Sequence, residues 1–442
     1  MNLKDTKVHS NNTTPSKKTL EHTDCKSARA EERLLLSIVI VSYNVKYFLL
    51  HCLHSIQQTA SDCVYEIFVV DNSSSDDTCE AVLTQFPQVQ LIQNTENVGF
   101  AKACNQAIRQ AQGEYILLLN PDTVVGEHTF LSALQYMNAH KECGALGVKM
   151  LDGSGNFLPE SKRGLPTYGV ALCKILGLQK LFPHARWANR YYATHIGENE
   201  IAPVEVLSGA CFFVRTDVLW QVGLLNEAYF MYGEDIDLSY KITQAGFHNV
   251  YFPETTIIHY KGESTPHRSI RSIYNFYKAM LIFVQTNLKA WEIFTPFLWI
   301  ILYVAIAIVW CKRNMSAIVH KVSPKHRVLI VGAGYEPQRV EKFLQASNFG
   351  GDIVGYVSLT EEYPETLNYI ATRAQLPHCI QINAVTEVIF CIDSMSVSEV
   401  ITIIQECSVF TISFKIANPH NRSVVGSSSP QRKGELYEIT AR

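Results

Sequence analysis

Short apolar runs alternate with amphipathic stretches over the first third of the ordered sequence. A continuous apolar run bounded by turn residues is typical of a strand buried on both faces, and apolar positions three and four residues apart predict a helix. The predicted strands are Leu34 to Asn44, Tyr65 to Asp71, Val89 to Gln93 and Tyr115 to Leu119. Helices are predicted between them, the third ending at Gly113 as its C-cap. This alternation predicts a parallel sheet with right-handed crossovers.

Polar residues follow each of these strands. The run Tyr115–Leu119 stops at Asn120-Pro121-Asp122, since proline cannot continue a ladder. Asp122 then lies at the carboxyl end of a central strand, where open α/β sheets bind ligands. A carboxylate there holds a divalent metal, or it only caps the loop, because Pro-Asp is ordinary turn chemistry.

Other strand ends converge on the same edge. They contribute Ser42, Tyr43, Asn44 and Asp71, and a further loop contributes Asn97 and Gly99. Asx and Gly residues populate loops in any case, so their shared position after successive strands is what favours a ligand site. No G-x-G-x-x-G follows Val41. A metal on Asp122 is therefore the expected phosphate holder, as a hard cation with open positions for a diphosphate.

Four stretches carry a family resemblance: SIVIVSYN, VVDNSSSDDT, ENVGFAKACNQAI and ILLLNPDT. Together they resemble the family 2 glycosyltransferases, which are inverting enzymes of the GT-A fold, and most of all rhamnosyltransferase-like members. The resemblance covers roughly Leu36 to Gln285. It implies that Ser42, Tyr43 and Asn44 line the nucleotide pocket, that Asp71 contacts the base, and that Asn97 and Gly99 border the nucleotide.

The resemblance also implies a metal site for Mn or Mg. Asp122 matches the last carboxylate of the family's metal motif, and His259 matches a histidine that completes the site. Asn120 stands where the family often has an aspartate, so this strand gives one carboxylate fewer, and Asn120 is assigned to the nucleotide pocket. A lone histidine such as His259 is otherwise a structural residue.

The stretch FMYGEDIDLSYKITQAGF predicts a helix after Gly233 whose first turn holds three carboxylates. The helix dipole favours acidic residues there, so a structural role is one alternative. Inverting transfer needs one general base for the acceptor hydroxyl. The resemblance gives Asp235 as the first choice, Glu234 as the alternate, and an orienting or packing role to Asp237. Gly209 and Ala210 allow close approach of the donor or acceptor sugar, or Gly209 only permits a bend.

The sequence after the catalytic half changes character. Residues 266–290 predict an amphipathic helix that lies on a membrane surface or packs on the enzyme. Residues 291–313 include Phe297–Trp310, fourteen apolar residues without a charge, which favour a membrane-associated anchor over a clean crossing. Residues 326–442 predict a small Rossmann-like domain. It resembles the domain that precedes the catalytic part of membrane sugar-phosphate transferases, in RVLIVGAG, GGDIVGYVS and EVIFCIDS.

In that last domain the third glycine of the dinucleotide fingerprint is replaced, so a regulatory or assembly module is preferred over a nucleotide site.

The length of 442 residues predicts two or three domains. The net charge of −3 gives no overall positive potential that would attract nucleic acid. The 12 cysteines form no C-x-x-C pair and indicate a reducing compartment. Residues 1–33 are expected to be a disordered tail. The resemblance implies that residues 34–265 form an α/β GT-A domain with a mixed sheet that binds a nucleotide sugar.

The expected function is metal-assisted transfer of a sugar, with rhamnose as one candidate, from a nucleotide sugar to a polyprenyl-linked or cell-surface saccharide. We expect this transfer reaction to be part of polysaccharide biosynthesis, at the cytoplasmic face of the inner (plasma) membrane. The alternative is a non-catalytic nucleotide-sugar-binding or assembly protein that retains the fold, supported by Asn120.

Overall fold

A mixed β-sheet forms the first half of the protein. The computed structural model describes residues 36–59, 63–166, 190–260, 270–287, 303, 326–347, 349–361, 363–364, 366–418, 423–426 and 437–438. The strands of the first sheet are β1 Leu36–Ser42, β2 Tyr65–Asp71, β3 Gln90–Gln93, β4 Tyr115–Leu119, β5 Thr123–Val125, β6 Cys143–Leu151, β7 Ala202–Val204, β8 Cys211–Arg215 and β9 His248–His259. Their order is β3-β2-β1-β4-β8-β6-β9-β5, with β7 also paired to β9.

The parallel part of this sheet is the part that the sequence predicts. Strands β3, β2, β1 and β4 are parallel, whereas β8 runs antiparallel to β4. The expected mixed sheet is confirmed. Its helices are α1 Lys46–Thr59, α2 Thr78–Gln85, α3 Phe100–Ile108, α4 Thr129–Ala139, α5 Thr216–Gln221, α6 Glu234–Gln244 and α7 Ile270–Asn287. Apolar clusters on both faces of the sheet explain why β1 and β4 are buried throughout.

The predicted role of Gly113 as a helix C-cap is wrong. Helix α3 ends at Ile108, and the Gly113 amide instead donates to Ser37 Oγ at 2.8 Å. A Cβ on Gly113 would lie 2.6 Å from the Ser37 amide nitrogen. Glycine is needed because the chain passes against the edge of β1 at this point.

A second sheet follows. Its strands are β10 Arg327–Gly332, β11 Asp352–Ser358, β12 Tyr369–Thr372, β13 Glu387–Cys391, β14 Ser413–Asn418, β15 Ser423–Gly426 and β16 Tyr437–Glu438. Its helices are α8 Glu336–Ala346, α9 Leu376–Ile382 and α10 Val397–Cys407. The order is β12-β11-β10-β13-β14-β15-β16, parallel from β12 to β14 and antiparallel after that. A second α/β sheet is therefore present, as expected.

The two sheets share a hydrophobic cluster. Phe48 of α1 and Tyr260 after β9 belong to the same cluster as Ile401 and Ile404 of α10. Glu127 accepts hydrogen bonds from the Val397 and Ser398 amides, at 2.5 and 2.9 Å, at the start of α10. A carboxylate at a helix N-terminus is stabilised by the unpaired amides there, so α10 is capped by the first sheet.

The amphipathic stretch 266–290 forms a helix over its described part. Helix α7 packs on α6: the Phe283 and Tyr240 rings lie 5.8 Å apart, and Asn287 Nδ2 donates to Asp237 Oδ1 at 2.7 Å. The predicted tail 1–33 and, apart from Tyr303, the apolar stretch 291–313 lie outside the described residues. Within the ranges that the structure describes, none of the helices has the length and apolar character to cross a bilayer.

Candidate active site

A pocket of about 350 Å³ opens at the carboxyl ends of β1, β2 and β4. The predicted residues among those that line it are Ser42, Tyr43, Asn97, Asn120, Asp122, Gly209, Ala210, Glu234, Asp235 and His259. The sheet order explains this convergence, because β2, β1 and β4 are direct neighbours and end at one edge. Residues more than a hundred positions apart in sequence thus meet in one cavity.

Asp122 and His259 meet because β5 pairs with the end of β9. The register places Thr123 opposite His259, so the residue before Thr123 comes beside the imidazole. His259 Nε2 lies 3.3 Å from Asp122 Oδ1 and 3.3 Å from Asn120 Nδ2. Both Asp122 and His259 are buried, at 4% and 6% exposure.

An imidazole nitrogen and a carboxylate oxygen this close are a suitable ligand pair for Mn²⁺ or Mg²⁺. Three or more His, Cys, Asp or Glu side chains do not come together as a ligand group anywhere in the described part of the chain. Two protein ligands still fit a cation that takes its remaining ligands from substrate phosphates and water, which is the usual arrangement for Mg²⁺.

The carboxylates at the start of α6 form the other half of the pocket. Gly233 adopts φ +84° and turns the chain into the helix, which places Asp235 over the Ser208-Gly209 segment. Asp235 Oδ2 accepts from Arg163 Nη2 at 2.5 Å and from the Gly209 amide at 3.2 Å. Burial disfavours the guanidinium cation, but the Asp235 and Tyr191 side chains together outweigh burial and raise the pKa of Arg163.

Glu234 has a different environment from Asp235. It is 7% exposed, and its Oε2 atom finds no hydrogen-bond partner among the described residues. Burial, followed by the neighbouring Asp235 carboxylate, raises the pKa of Glu234 to about 8. The environment of Glu234 therefore favours the protonated form, whereas Asp235 is ion-paired with Arg163.

Comparison with known proteins relates much of the chain that builds this pocket to glycosyltransferases. Residues 37–223 match the family model described as "Glycosyl transferase family 2". A relative from Mycobacterium tuberculosis, "N-acetylglucosaminyl-diphospho-decaprenol L-rhamnosyltransferase", is 28% identical over 268 residues, which is 58% of this chain and 86% of the relative. The protein is a glycosyltransferase. Its family match covers strands β1 to β8, and the match ends before α6, β9 and the second sheet.

Two further similarities are more distant. "Low-salt glycan biosynthesis hexosyltransferase Agl10" of Haloferax volcanii is 27% identical over 210 residues, 47% of this glycosyltransferase and 61% of the relative. A structure of a mannosyltransferase from Pyrobaculum calidifontis, with GDP-Man and Mn²⁺, aligns over 65% of this chain and 76% of its own. Its TM-score is 0.41 at 18% identity, so it supports no functional argument. The resemblance of the second sheet to sugar-phosphate transferases stays a prediction.

Three predicted nucleotide residues of the glycosyltransferase lie beside the pocket and do not line it. Asn44 Oδ1 accepts from the Ser75 amide at 2.7 Å, and Asp71 Oδ2 accepts from the Ser74 amide at 2.8 Å, so both hold the loop after β2. A Cβ on Gly99 would lie 2.6 Å from the Phe230 carbonyl oxygen. The structure gives each a local role, and their contact with nucleotide stays a prediction.

Other lining residues of the glycosyltransferase were not predicted. They are Asn72, Phe100, Glu160, Arg163, Tyr191, Tyr192, Met231, Tyr232 and Phe276, with backbone neighbours. Asn72 follows Asp71 directly at the end of β2, so the same strand-end pattern could have found it. Arg163 and Tyr191 come from the irregular stretch 150–202. Its place between the two halves of the site favours a role in shaping the acceptor cleft, with core and loop packing as the alternative, but no spacing within it singles out a residue. Asp237 is fully buried and bonded to Lys241 at 2.9 Å, in keeping with its expected packing role.

Proposed function

We propose that this glycosyltransferase moves a sugar, with L-rhamnose as the first candidate, from a nucleotide-sugar donor to a lipid-linked or cell-surface saccharide, with inversion at the anomeric carbon. The observation that carries the proposal is the single pocket that joins the Asp122–His259 pair to the Asp235–Arg163 pair. The M. tuberculosis relative is described as an L-rhamnosyltransferase that acts on a diphospho-decaprenol-linked sugar, and this supports both substrate classes.

The nucleotide side of the pocket holds the donor. The polar groups at the strand ends, Ser42, Asn72 and Asn97, lie on this side, with Tyr43 38% exposed beside them. A divalent cation held by Asp122 and His259 would compensate the negative charge that develops on the leaving diphosphate. The buried position of both side chains keeps their ligand atoms directed into the pocket and away from bulk water.

Asp235 is the proposed general base. In a single displacement the acceptor oxygen forms a bond to the anomeric carbon, the bond from that carbon to the diphosphate breaks, and the base takes the hydroxyl proton. Glu234 is the alternate, because burial raises its pKa and so disfavours the ionised form that accepts a proton. Asp235 pairs with Arg163, and Arg163 and the Gly209 amide fix the direction of its carboxylate.

The membrane part of the proposal rests on sequence. We place the enzyme at the cytoplasmic face of the inner (plasma) membrane, held by the apolar stretch Phe297–Trp310. The second sheet, residues 326–442, is proposed to be a Rossmann-like regulatory or assembly domain. Replacing alternate apolar residues of Phe297–Trp310 with serine should move the protein from the pelleted membranes to the supernatant, and continued pelleting with membranes would refute the anchor.

A nucleotide-sugar screen tests the central proposal. Thermal shifts are measured with dTDP-rhamnose, UDP-N-acetylglucosamine and GDP-mannose, each with and without Mn²⁺. The best donor is then incubated with a short-chain prenyl diphospho-N-acetylglucosamine, and the configuration of the new linkage is read by NMR. We expect a metal-dependent shift for one donor and an inverted linkage. No response to any donor, or a retained linkage, would contradict the proposal.

A further inference from the structure

Four of the aromatic residues that line the pocket form two pairs of rings. Tyr191 and Tyr192 come from a 3-10 turn, Tyr232 from the loop before α6, and Phe276 from α7. The rings of Tyr191 and Tyr192 are 4.9 Å apart, and those of Tyr232 and Phe276 are 6.3 Å apart, both edge to face. We call these four residues the aromatic wall. None of them belongs to the nucleotide-binding strand ends.

Tyr232 adopts an unfavourable backbone conformation to join this wall. Its φ is +67°, in the left-handed region, which is a rare conformation for an aromatic residue. The next residue, Gly233, is packed so closely that a Cβ would lie 3.0 Å from the Ala279 side chain and 3.0 Å from the Tyr229 ring. Tyr232 is only partly buried, so core packing alone does not account for a tyrosine here. Strain of this kind is concentrated at functional sites.

Arg163 connects the aromatic wall to the proposed base. The same guanidinium that pairs with Asp235 also hydrogen-bonds the Tyr191 side chain. The Gly164 amide donates to the Tyr191 carbonyl at 2.8 Å, and Leu165 packs in the cluster that contains Tyr232. The wall and Asp235 are thus positioned by one segment of chain.

We propose that the aromatic wall is the acceptor subsite and that it stacks against a sugar ring of the acceptor, presenting a hydroxyl of that ring to Asp235. This rests on the proposed function. A pyranose has apolar C–H faces and a rim of hydroxyls, so it suits aromatic rings that are interspersed with charged groups. Here those groups are Glu160, Arg163 and Asp235. A prenyl chain in the same place would remove water from these charged groups without offering them a hydrogen bond, which is costly.

The test compares two aromatic residues of one helix. Phe276 lines the pocket, whereas Tyr274, two residues earlier, is similarly exposed and does not line it. Binding of short-chain prenyl diphospho-N-acetylglucosamine to the full chain is measured by calorimetry, alongside dTDP-rhamnose. We expect Phe276→Ala to weaken binding of the acceptor probe about fivefold to tenfold, and Tyr274→Ala to leave this affinity unchanged. Neither variant should alter the donor affinity or the melting temperature.

A second variant distinguishes loss of an aromatic ring from loss of folding. Tyr232→Gly removes the ring at a position whose φ favours glycine, so the chain should fold while the acceptor probe binds more weakly. The prenyl diphosphate without its sugar is the comparison ligand, and its affinity should not change in either variant.

Three outcomes would overturn the acceptor subsite. They are unchanged acceptor binding in Phe276→Ala and Tyr232→Gly, an equal loss for the sugar-free prenyl diphosphate, and a loss confined to dTDP-rhamnose. Failure of the proposed function is a separate result, because it would show as no response to any nucleotide sugar in the screen with the unmodified protein.

Discussion

The two sheets of this protein have similar parallel strands, but the residues that follow those strands make different contacts. In the first sheet, Asn72 and Asp122 follow β2 and β4 and line an open pocket. In the second sheet, the loop after β10 is bonded internally: the Ala333 amide donates to Ser394 Oγ at 3.2 Å, and the Tyr369 hydroxyl donates to the Gly334 carbonyl at 2.8 Å. Similar architecture therefore gives an open pocket at the strand ends of the first sheet and a loop held by hydrogen bonds in the second.

The charged side chains of the two halves also differ in where they lie. The carboxylates Asp122 and Asp235 of the first half lie in the pocket. In the second half, Lys415 and Glu387 form a 2.7 Å ion pair whose side chains are both fully buried within adjacent strands. Removing either residue would leave the other as an uncompensated buried charge, so this ion pair has a structural role. The comparison shows that similar parallel strands do not by themselves make a strand-end pocket.

The largest effect is expected at Asp235. Asp235→Asn keeps the size of the side chain and removes the proton acceptor, so transfer should fall about 10³-fold. Donor binding should stay within about twofold, since Asp235 is not on the nucleotide side. Steady-state transfer rates and calorimetric donor affinity measure the two quantities. Unchanged turnover would remove Asp235 as the base and leave Glu234 as its alternate.

Asp122→Ala should reduce donor binding in the presence of Mn²⁺ by about tenfold to hundredfold, because one of two protein ligands is lost. His259→Ala should act in the same direction. His248→Ala is the matched control, since His248 is the exposed first residue of the same strand. Calorimetry with dTDP-rhamnose, with Mn²⁺ or with EDTA, gives the result. Donor binding by the unmodified enzyme that ignores EDTA would show that Asp122 and His259 hold no metal.

Arg163→Ala should lower turnover about tenfold to hundredfold by releasing the Asp235 carboxylate, with little change in donor KM. Arg163→Lys keeps the charge but cannot reproduce the contacts to both Asp235 and the Leu207 carbonyl, so turnover should be intermediate. Kinetics and a melting curve for each variant distinguish lost positioning from lost folding. A donor KM that rises as much as turnover falls would contradict the positioning role.

Glu234→Gln should change stability in a pH-dependent way. Because the pKa of Glu234 is raised to about 8, the folded protein keeps a proton that the unfolded chain loses above pH 4.5. Wild-type stability therefore falls, through this group, as pH rises from about 5 to 8. Glutamine mimics the protonated form, so the variant should melt at increasingly higher temperature than wild type over this window. A melting difference that is constant with pH would show that Glu234 is ionised in the fold.

The buried parallel strands and the positions where they end are the parts that the sequence predicts well, because burial and period are local signals. Asn120-Pro121-Asp122 ends a continuous apolar run, and the partners Asp235 and His259 are found through the family resemblance. Arg163 and Phe276 could not be predicted. Their role depends on contacts with residues far away in sequence, and the segment around Arg163 has no period. Gly113 was misassigned for a similar reason, since its neighbour is Ser37 on another strand.

The smallest effect is expected at Gly334, and it tests the contrast between the sheets directly. Gly334 has φ +57° with open space around the position of a Cβ, so Gly334→Ala should cost about 1 kcal/mol through backbone strain alone. Gly350→Ala is the control, because its Cβ would also meet nothing within 4 Å and its φ lies outside the left-handed region. Urea unfolding measures the difference between the two variants.

Nucleotide binding completes this test. In an Asp122→Ala background, where the first pocket is weakened, any strong residual binding of NAD or dTDP-rhamnose belongs to another site. If the second sheet only supports the fold, adding Gly334→Ala should leave that residual binding unchanged. If the added methyl group abolishes it, the backbone of the β10 loop approaches a phosphate. The second sheet would then be a nucleotide site, and the contrast would lie in which ligand each strand end binds.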